Sequence, residues 1–146
     1  MSGYSSLWDS IKHHVSETRN IKTQGMIDAN DSLRVTHRAA QLFTLDILLQ
    51  EHRKKFGRDI FPLHGKDALH HKILIKYKWP LDMIRELSLS DCLLALQDEL
   101  IPENLSEGGR KFLGHVIERA SQIGFDDLLD EEWNPMFAEL FLREQQ

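Results

Sequence analysis

Apolar residues recur every three or four positions along most of this chain, the spacing that places them on one face of an α-helix. The first such stretch covers residues 5–18, and the irregular, mostly polar residues 20–30 that follow predict a loop. The expected inner face of this first helix consists of Leu7, Ile11 and Val15, with Tyr4 and Trp8 beside them.

Residues 31–56 carry the longest helical pattern in the chain. Asn30 or Asp31 is expected to cap its start, and Gly57 is expected to end it. At about 100° per residue, the apolar positions share one arc of this helix. The residues of that arc are Val35, Ala39, Leu42, Phe43, Leu49 and Phe56.

Asp46 lies near the middle of the same arc, and Arg38 and Arg53 also fall on it. A carboxylate on an apolar face has to find a partner or bind a proton. We therefore expect Asp46 to make an internal contact, with an arginine or with the backbone, that fixes how the helices pack. A functional acid is the alternative.

The middle of the chain fits two kinds of secondary structure. Glycine and proline mark residues 57–65 as a loop, whereas residues 66–78 suit a helix by one set of apolar positions and a strand by another. No second strand-like stretch is present to pair with, so we predict a helix. Pro80 can then begin a short helix over residues 80–87.

Two further helices are predicted before the acidic tail. Ser88 caps residues 89–101, with Asp91 three positions later as in a capping box, and Ser106 caps residues 106–123. The buried stripe of the first is Leu89, Leu93, Leu96 and Leu100. The inward residues of the second are expected to be Phe112, Leu113, Val116, Ile117, Ala120 and Ile123.

Gly108 and Gly109 fall in the first turn of that second helix, where they weaken it but permit a close backbone approach. Asn134 followed by Pro135 predicts the start of a last helix, preceded by Trp133. Its apolar face is expected to be Met136, Phe137, Leu140 and Phe141. The whole pattern predicts an all-α fold, with residues 1–146 as one compact domain of about six or seven helices, bundle-like or orthogonal.

Charge is divided unevenly along the chain, although the net charge is only −5. Residues 1–78 contain 13 Lys or Arg and 8 Asp or Glu, a balance of +5. Residues 79–146 contain 5 and 15, a balance of −10. Such an asymmetry bears on partners rather than on fold. The two halves either neutralise each other inside the fold or face separate partners, and the sequence leaves both open.

The composition excludes several classes of protein. With 41% hydrophobic and 28% charged residues, the chain is expected to be neither disordered nor a membrane protein, and apolar runs such as 47–49 are too short to cross a bilayer. The N-terminus lacks the basic start and apolar run of a secretory signal. The single cysteine, Cys92, is expected to be a buried thiol with a raised pKa in a reducing, cytoplasmic location.

Motifs for catalysis are missing from the sequence, which has no nucleophile elbow, phosphate-binding glycine loop or His-Glu-x-x-His helix. Within the predicted helices, three of the eight histidines lie three residues from a carboxylate, a spacing that would place both side chains on one helix face. The pairs are His14–Glu17, Asp67–His70 and His115–Glu118. Chance produces such spacings among 23 acidic residues. We therefore expect no enzyme, no cofactor and no metal site, and we keep a His/carboxylate metal enzyme as the third hypothesis.

A nucleic-acid-binding regulator is the second hypothesis. Its site would be the basic residues of the 53–78 region, with Tyr77 and Trp79 to stack on bases. An isoelectric point near 5.9 and the lack of a convincing helix-turn-helix weigh against it. The basic residues of this site are Arg53, Lys54, Lys55, Arg58, Lys72, Lys76 and Lys78.

The favoured hypothesis is a protein-binding module. An acidic stretch adjoins the apolar tail helix, and an apolar anchor bordered by carboxylates suits a cationic partner. In size, acidity and compactness alone, the chain resembles immunity and antitoxin proteins that block cationic nuclease toxins. The residues predicted to bind such a partner are Asp126, Asp127, Asp130, Glu131, Glu132 and Trp133.

Overall fold

The computed structural model describes residues 3–22, 24–26, 28–117 and 122–142. Within these ranges the chain forms seven α-helices, two 3₁₀ turns and no strand, which confirms the predicted all-α fold. The α-helices are α1 (Gly3–Thr18), α2 (Ala29–Phe56), α3 (Lys66–Tyr77), α4 (Leu81–Arg85), α5 (Leu89–Ala95), α6 (Glu107–Ile117) and α7 (Phe137–Leu142). The 3₁₀ turns are Pro102–Asn104 and Asp130–Glu132.

Helix α2 is the centre of the fold, because α1, α3, α6 and α7 all pack against it. Its capping residue is Asp28, whose carboxylate accepts hydrogen bonds from the backbone N–H groups of Asn30 and Asp31, at 2.8 and 3.2 Å. The predicted cap at Asn30 or Asp31 is therefore wrong. A cap at Asp28 allows the helix to begin at Ala29, and alanine is the residue that favours a helix most. The predicted end at Gly57 is confirmed.

The core forms where α1 and α6 meet the middle of α2. The ring of Phe43 stacks on Phe112 with centroids 5.3 Å apart, and it meets Tyr4 and Trp8 edge-on at 6.3 and 5.9 Å. These arrangements suit the charge distribution of aromatic rings. The predicted inner face of α1 is confirmed, because Leu7, Ile11 and Val15 are all buried.

The helix predicted for residues 66–78 is confirmed, but two later helices are shorter than predicted. Helix α5 ends at Ala95, and the residues after it form turns. Helix α6 is described as far as Ile117. Residues 118–121, including Ala120, lie outside the described residues. The inward positions predicted for Ile117 and Ile123 are wrong, since both are exposed. Ile117 lies about 80° around α6 from the buried Gly109, and Ile123 lies beyond the helix.

The tail helix packs through a face that only partly matches the predicted one, because Phe137 and Phe141 are half-buried against the core as predicted. Asn134 caps the backbone N–H of Met136 at 3.0 Å, but α7 begins only at Phe137. Ala138 and Leu142, which are one turn apart, face the core, whereas Met136 and Leu140 are exposed. The small side chain of Ala138 allows α7 to lie close to α1 and α2.

Gly109 marks the closest approach of α6 to α2. A Cβ atom at this position would lie 2.7 Å from Cγ2 of Ile47, whereas one at Gly114 in the same helix would meet nothing within 4 Å. We expect Gly109→Ala to lower the free energy of unfolding by about 1–2 kcal/mol, since overpacking outweighs the gain in helix propensity. Gly114→Ala should raise it by about 0.5–1 kcal/mol. Urea unfolding of the two variants tests this contrast, and equal effects would contradict it.

Candidate functional site

The two oppositely charged halves of the chain meet inside the fold. Among the described residues, every ion pair between different secondary-structure elements or loops joins a basic residue from positions 1–78 to an acidic residue from positions 79–146. The remaining pairs connect residues three or four apart within one helix. Much of the charge asymmetry therefore holds the two halves together.

The most buried of these contacts centres on Glu132, whose side chain is inaccessible to solvent. Its Oε1 atom accepts hydrogen bonds from Arg19 Nη2 at 2.6 Å, from Arg38 Nη1 at 2.8 Å and from the backbone N–H of Leu129 at 2.9 Å. Arg19, which directly follows α1, and Arg38 of α2 thus share one carboxylate of the 3₁₀ turn. Bonds between charged groups in a dry interior are strong, and removing one partner leaves the others uncompensated.

Asp127 extends the same cluster towards the surface. Its carboxylate accepts from Arg19 Nη1 at 2.9 Å, and its backbone oxygen accepts from both Arg19 and Arg38. The hydrogen bond from Arg19 lowers the pKa of the Asp127 carboxyl group. The ring of Phe125 lies 4.2 Å from the Arg19 guanidinium and covers it.

The remaining residues of the predicted acidic site lie in different environments. The Asp126 and Glu131 side chains are exposed, and Asp130 is exposed while its carboxylate accepts from the backbone N–H of Leu89 at 2.9 Å. Trp133 is buried, as is Glu132. The structure therefore leaves three acidic residues free to face a partner, without the tryptophan that was expected to anchor it.

Trp133 instead forms a buried hydrogen bond with α2. Its indole Nε1–H donates to Asp46 Oδ1 at 2.8 Å. Burial raises the pKa of Asp46 to about 7. The hydrogen bond from Trp133 and the nearby positive charge of Arg53 both lower this pKa, but their effect is smaller than that of burial. The predicted internal contact of Asp46 is confirmed, although its partner is a tryptophan rather than an arginine or the backbone.

The basic residues predicted to bind nucleic acid do not form one free surface. Lys72 pairs with Glu99 at 2.9 Å, and Lys76 pairs with Asp98 at 2.6 Å and with Glu99 at 3.3 Å. Lys78 is exposed, next to an aromatic pair. That pair consists of Tyr77 and Trp79, whose rings stack on each other with centroids 4.3 Å apart. A stack of this kind covers one face of each ring that a base would need.

Arg53, Lys54 and Arg58 lie together at a cavity of about 700 Å³, which we call the α2–α7 cavity; Lys55 is exposed nearby on α2. The cavity is enclosed by the last turns of α2, the loop 57–65 and the start of α7. Its lining combines apolar, uncharged polar and charged side chains. The lining includes Gln50, Arg53, Lys54, Arg58, Asp59, Pro62, Leu63, His64, Met136, Phe137, Glu139 and Leu140.

Arg53 holds the loop of this cavity in place. Its Nε atom donates to the backbone oxygen of Leu63 at 2.9 Å, and Nη2 donates to that of Gly65 at 3.1 Å. Glu139 from α7 accepts from His64 Nδ1 at 2.7 Å and from the backbone N–H of Gly65 at 2.9 Å. Its carboxylate lies 4.0 Å from Arg53 Nε. The loop is therefore fixed to both helices by charged side chains.

Three buried polar atoms on one face of α2 have no hydrogen-bond partner: Asp46 Oδ2, Gln50 Oε1 and Arg53 Nη1. Their spacing of four and then three residues places them in a row that runs from the core to the cavity. Asp46 and Arg53 were recognised in the sequence as charged residues on the apolar arc, whereas Gln50 was not. Its position between the two, on an otherwise apolar arc, was the signal that could have found it.

The histidine and carboxylate pairs that were found by their spacing lie in different environments. His14 donates through Nε2 to the backbone oxygen of Glu131 at 2.8 Å, and Glu17 pairs with His13 at 2.9 Å. Glu118 lies outside the described residues. In the part of the chain that is described, no three or more metal-binding side chains come together.

The remaining candidates for chemistry, His52 and Cys92, are both buried. His52 and His71 are joined by a hydrogen bond of 2.9 Å, and burial lowers the pKa of His52 to about 4. Burial, with the charges of Asp130 and Asp91, raises the pKa of Cys92 to about 11, which confirms the prediction of an unreactive thiol.

Comparisons with protein-family models, with curated proteins and with solved structures give no match. Function therefore has to be argued from the residues of the site. None of the helices in the described ranges is both long enough and apolar enough to span a membrane.

Proposed function

We propose that this chain is a protein-binding module whose docking surface surrounds the α2–α7 cavity. The supporting observation is where its large apolar side chains are exposed. Among the described residues six of them are more than half exposed, and Met26 and Leu94 are the two that lie elsewhere. The other four form what we call the apolar patch: Leu140 (57%) and Met136 (51%) line the cavity, and Ile60 (83%) and Phe61 (77%) lie in the loop between Asp59 and Pro62, which line it.

Exposed apolar side chains that cluster and are rimmed by charge are typical of interaction sites. Phe61 and Ile60 stand at the tip of a loop that Arg53 and Glu139 hold in place, so little ordering is required when a partner binds. An aromatic and an aliphatic side chain on a rigid support can act as anchors for such a contact.

The charges at this surface indicate the chemistry of the partner. Lys54 and Arg58 line the cavity with Arg53, against the two carboxylates of Asp59 and Glu139. Glu139 is already engaged by His64 and Gly65, and Lys54 pairs with Glu51 at 3.5 Å, so the lining as a whole carries one more positive than negative charge. The surface therefore suits an acidic segment with apolar anchors. An inhibitor, immunity or antitoxin role remains one form that such binding can take.

Selection of random peptides displayed on phage tests this proposal. The selected peptides are expected to combine Asp or Glu with aromatic or aliphatic residues. Their affinity should fall at least about tenfold with Ile60→Ser and Phe61→Ser together, since each buried anchor contributes about 1.5–3 kcal/mol. Leu94→Ser is the matched control, because Leu94 is 72% exposed and lies away from the cavity. Failure to select peptides, or equal loss with the control, would contradict the proposal.

A cationic partner that binds the acidic tail is the second candidate. The exposed side chains of Asp126, Asp130 and Glu131 favour it, and they remain available after the internal pairing of Asp127 and Glu132. The same selection separates the two candidates. Peptides rich in Lys and Arg, whose binding is lost when the three exposed acids are changed to lysine, would support the second.

A further inference from the structure

We propose that the α2–α7 cavity binds a carboxylate group, held by the guanidinium of Arg53 and the side-chain amide of Gln50. This inference deepens the proposed function, because an acidic side chain or the C-terminal carboxylate of a partner would supply that group. A small free carboxylic acid has the same chemistry and is the other source. The argument rests on unsatisfied polar atoms, on charge and on the shape of the wall.

Arg53 offers a donor that the fold itself does not use. Two of its nitrogens donate to the loop, whereas Nη1 is buried and has no acceptor. A buried donor without a partner is rare and destabilises the fold, a cost that binding an acceptor would recover. A carboxylate fits best, because guanidinium and carboxylate groups have matching geometry and charge.

Gln50 stands one turn before Arg53 on the same face of α2, 6% exposed, and it also lines the cavity. Its Oε1 atom has no partner. A glutamine amide can turn by about 180° and present its NH₂ group instead, at little steric cost. Gln50 and Arg53, which both line the cavity, can then each donate to a carboxylate bound there.

The rest of the cavity suits an acid with an apolar body. Phe137, Leu63 and Met136 line it together with Gln50 and Arg53, so that a ring or alkyl chain can be buried in the same cavity as the polar groups. Three cationic side chains stand against two anionic ones in the lining, and Lys54 and Arg58 lie where a negative ligand would approach. An apolar wall with a few polar groups that fix orientation is typical of ligand pockets.

Methyl NMR of the full chain provides the test, with methionine methyl groups labelled with ¹³C. Met136 lines the cavity, whereas Met26 and Met83 do not and serve as internal references. The probe is 3-phenylpropionate, and its neutral analogue 3-phenylpropanol is the control ligand. We expect a saturable shift of the Met136 signal with the acid and at least about tenfold weaker binding of the alcohol.

Three variants separate the contacts. Arg53→Met should lower the affinity for the acid at least about tenfold. Gln50→Leu should lower this affinity about threefold while leaving Arg53 and the loop in place. Lys55→Met removes an exposed charge outside the lining and should change the affinity less than about twofold. Equal binding of acid and alcohol, no effect of Gln50→Leu and Arg53→Met, or equal shifts at Met26 and Met83 would each overturn the inference.

The two proposals can fail separately. If the acid binds at Met136 but no peptide is selected, the carboxylate site stands and a small acid is its ligand. If peptides bind through Ile60 and Phe61 but are insensitive to Arg53→Met and Gln50→Leu, protein binding stands and the carboxylate site is rejected. Selected peptides that lose affinity when their acidic residue is changed to its amide would identify the partner as the source of the carboxylate.

Discussion

Replacing Glu132 with glutamine is expected to lower the free energy of unfolding by about 3–5 kcal/mol. Glutamine keeps the shape of the side chain but removes the negative charge that Arg19 and Arg38 share. The side chains of these arginines are only 14% and 5% exposed, so water cannot replace the lost partner well. Asp127 compensates only Arg19 directly through its carboxylate. This is the largest loss that we expect from one isosteric substitution.

Glu131→Gln is the matched control for this prediction. Glu131 is the neighbouring residue in the same 3₁₀ turn, its side chain is exposed, and its described hydrogen bonds use its backbone oxygen. We expect it to change stability by less than about 0.5 kcal/mol. Denaturant unfolding of both variants measures the difference. A loss below about 1 kcal/mol for Glu132→Gln would mean that the buried cluster does not hold the halves together.

Replacing Asp46 with asparagine should make the stability of the chain less sensitive to pH. The folded chain keeps the proton on Asp46 up to about pH 7, whereas the unfolded chain releases it near 3.8. A raised pKa in the folded state means that wild-type stability falls as pH rises between these values. Asparagine imitates the protonated form, and its oxygen can still accept from Trp133. The variant should therefore gain on wild type as pH rises.

The size of this gain in stability depends on how much of the interval between the unfolded and folded pKa values lies within the pH range that is measured. Between pH 5 and pH 8 we expect the difference in unfolding free energy, variant minus wild type, to grow by about 3 kcal/mol, because each pKa unit is worth about 1.4 kcal/mol. Denaturant midpoints at the two pH values measure it. Asp59→Asn, at an exposed carboxylate, should show almost no change. A constant difference for Asp46→Asn would show that Asp46 is already ionised at pH 5.

The sequence predicts the helices well where one apolar stripe decides the packing. Leu7, Ile11 and Val15 repeat at four-residue intervals, and all three are buried as expected. It fails for α7, where Met136 and Leu140 were expected to face inward. A six-residue helix has few apolar positions, so the neighbouring α1 and α2, rather than its own pattern, decide that Ala138 faces the core.

The candidate site was harder to predict because it depends on long-range pairing. In the sequence Glu131 and Glu132 look alike, yet Glu131 is exposed, whereas Glu132 binds two arginines that lie about 100 residues away in the chain. The basic and acidic stretches were correctly located, but only the fold shows which charges are used internally. The loop of Ile60 and Phe61 carries no motif, so its exposure was not predictable.

We propose that binding depends on the apolar patch and not on the charged tail. The dissociation constant of one selected peptide, measured for two variants, distinguishes these surfaces: Ile60→Ser with Phe61→Ser, and Asp126→Lys with Asp130→Lys and Glu131→Lys. We expect a loss of affinity of at least about tenfold for the first variant and a change below about twofold for the second. The opposite order, with the acidic variant losing affinity and the patch variant unchanged, would contradict it.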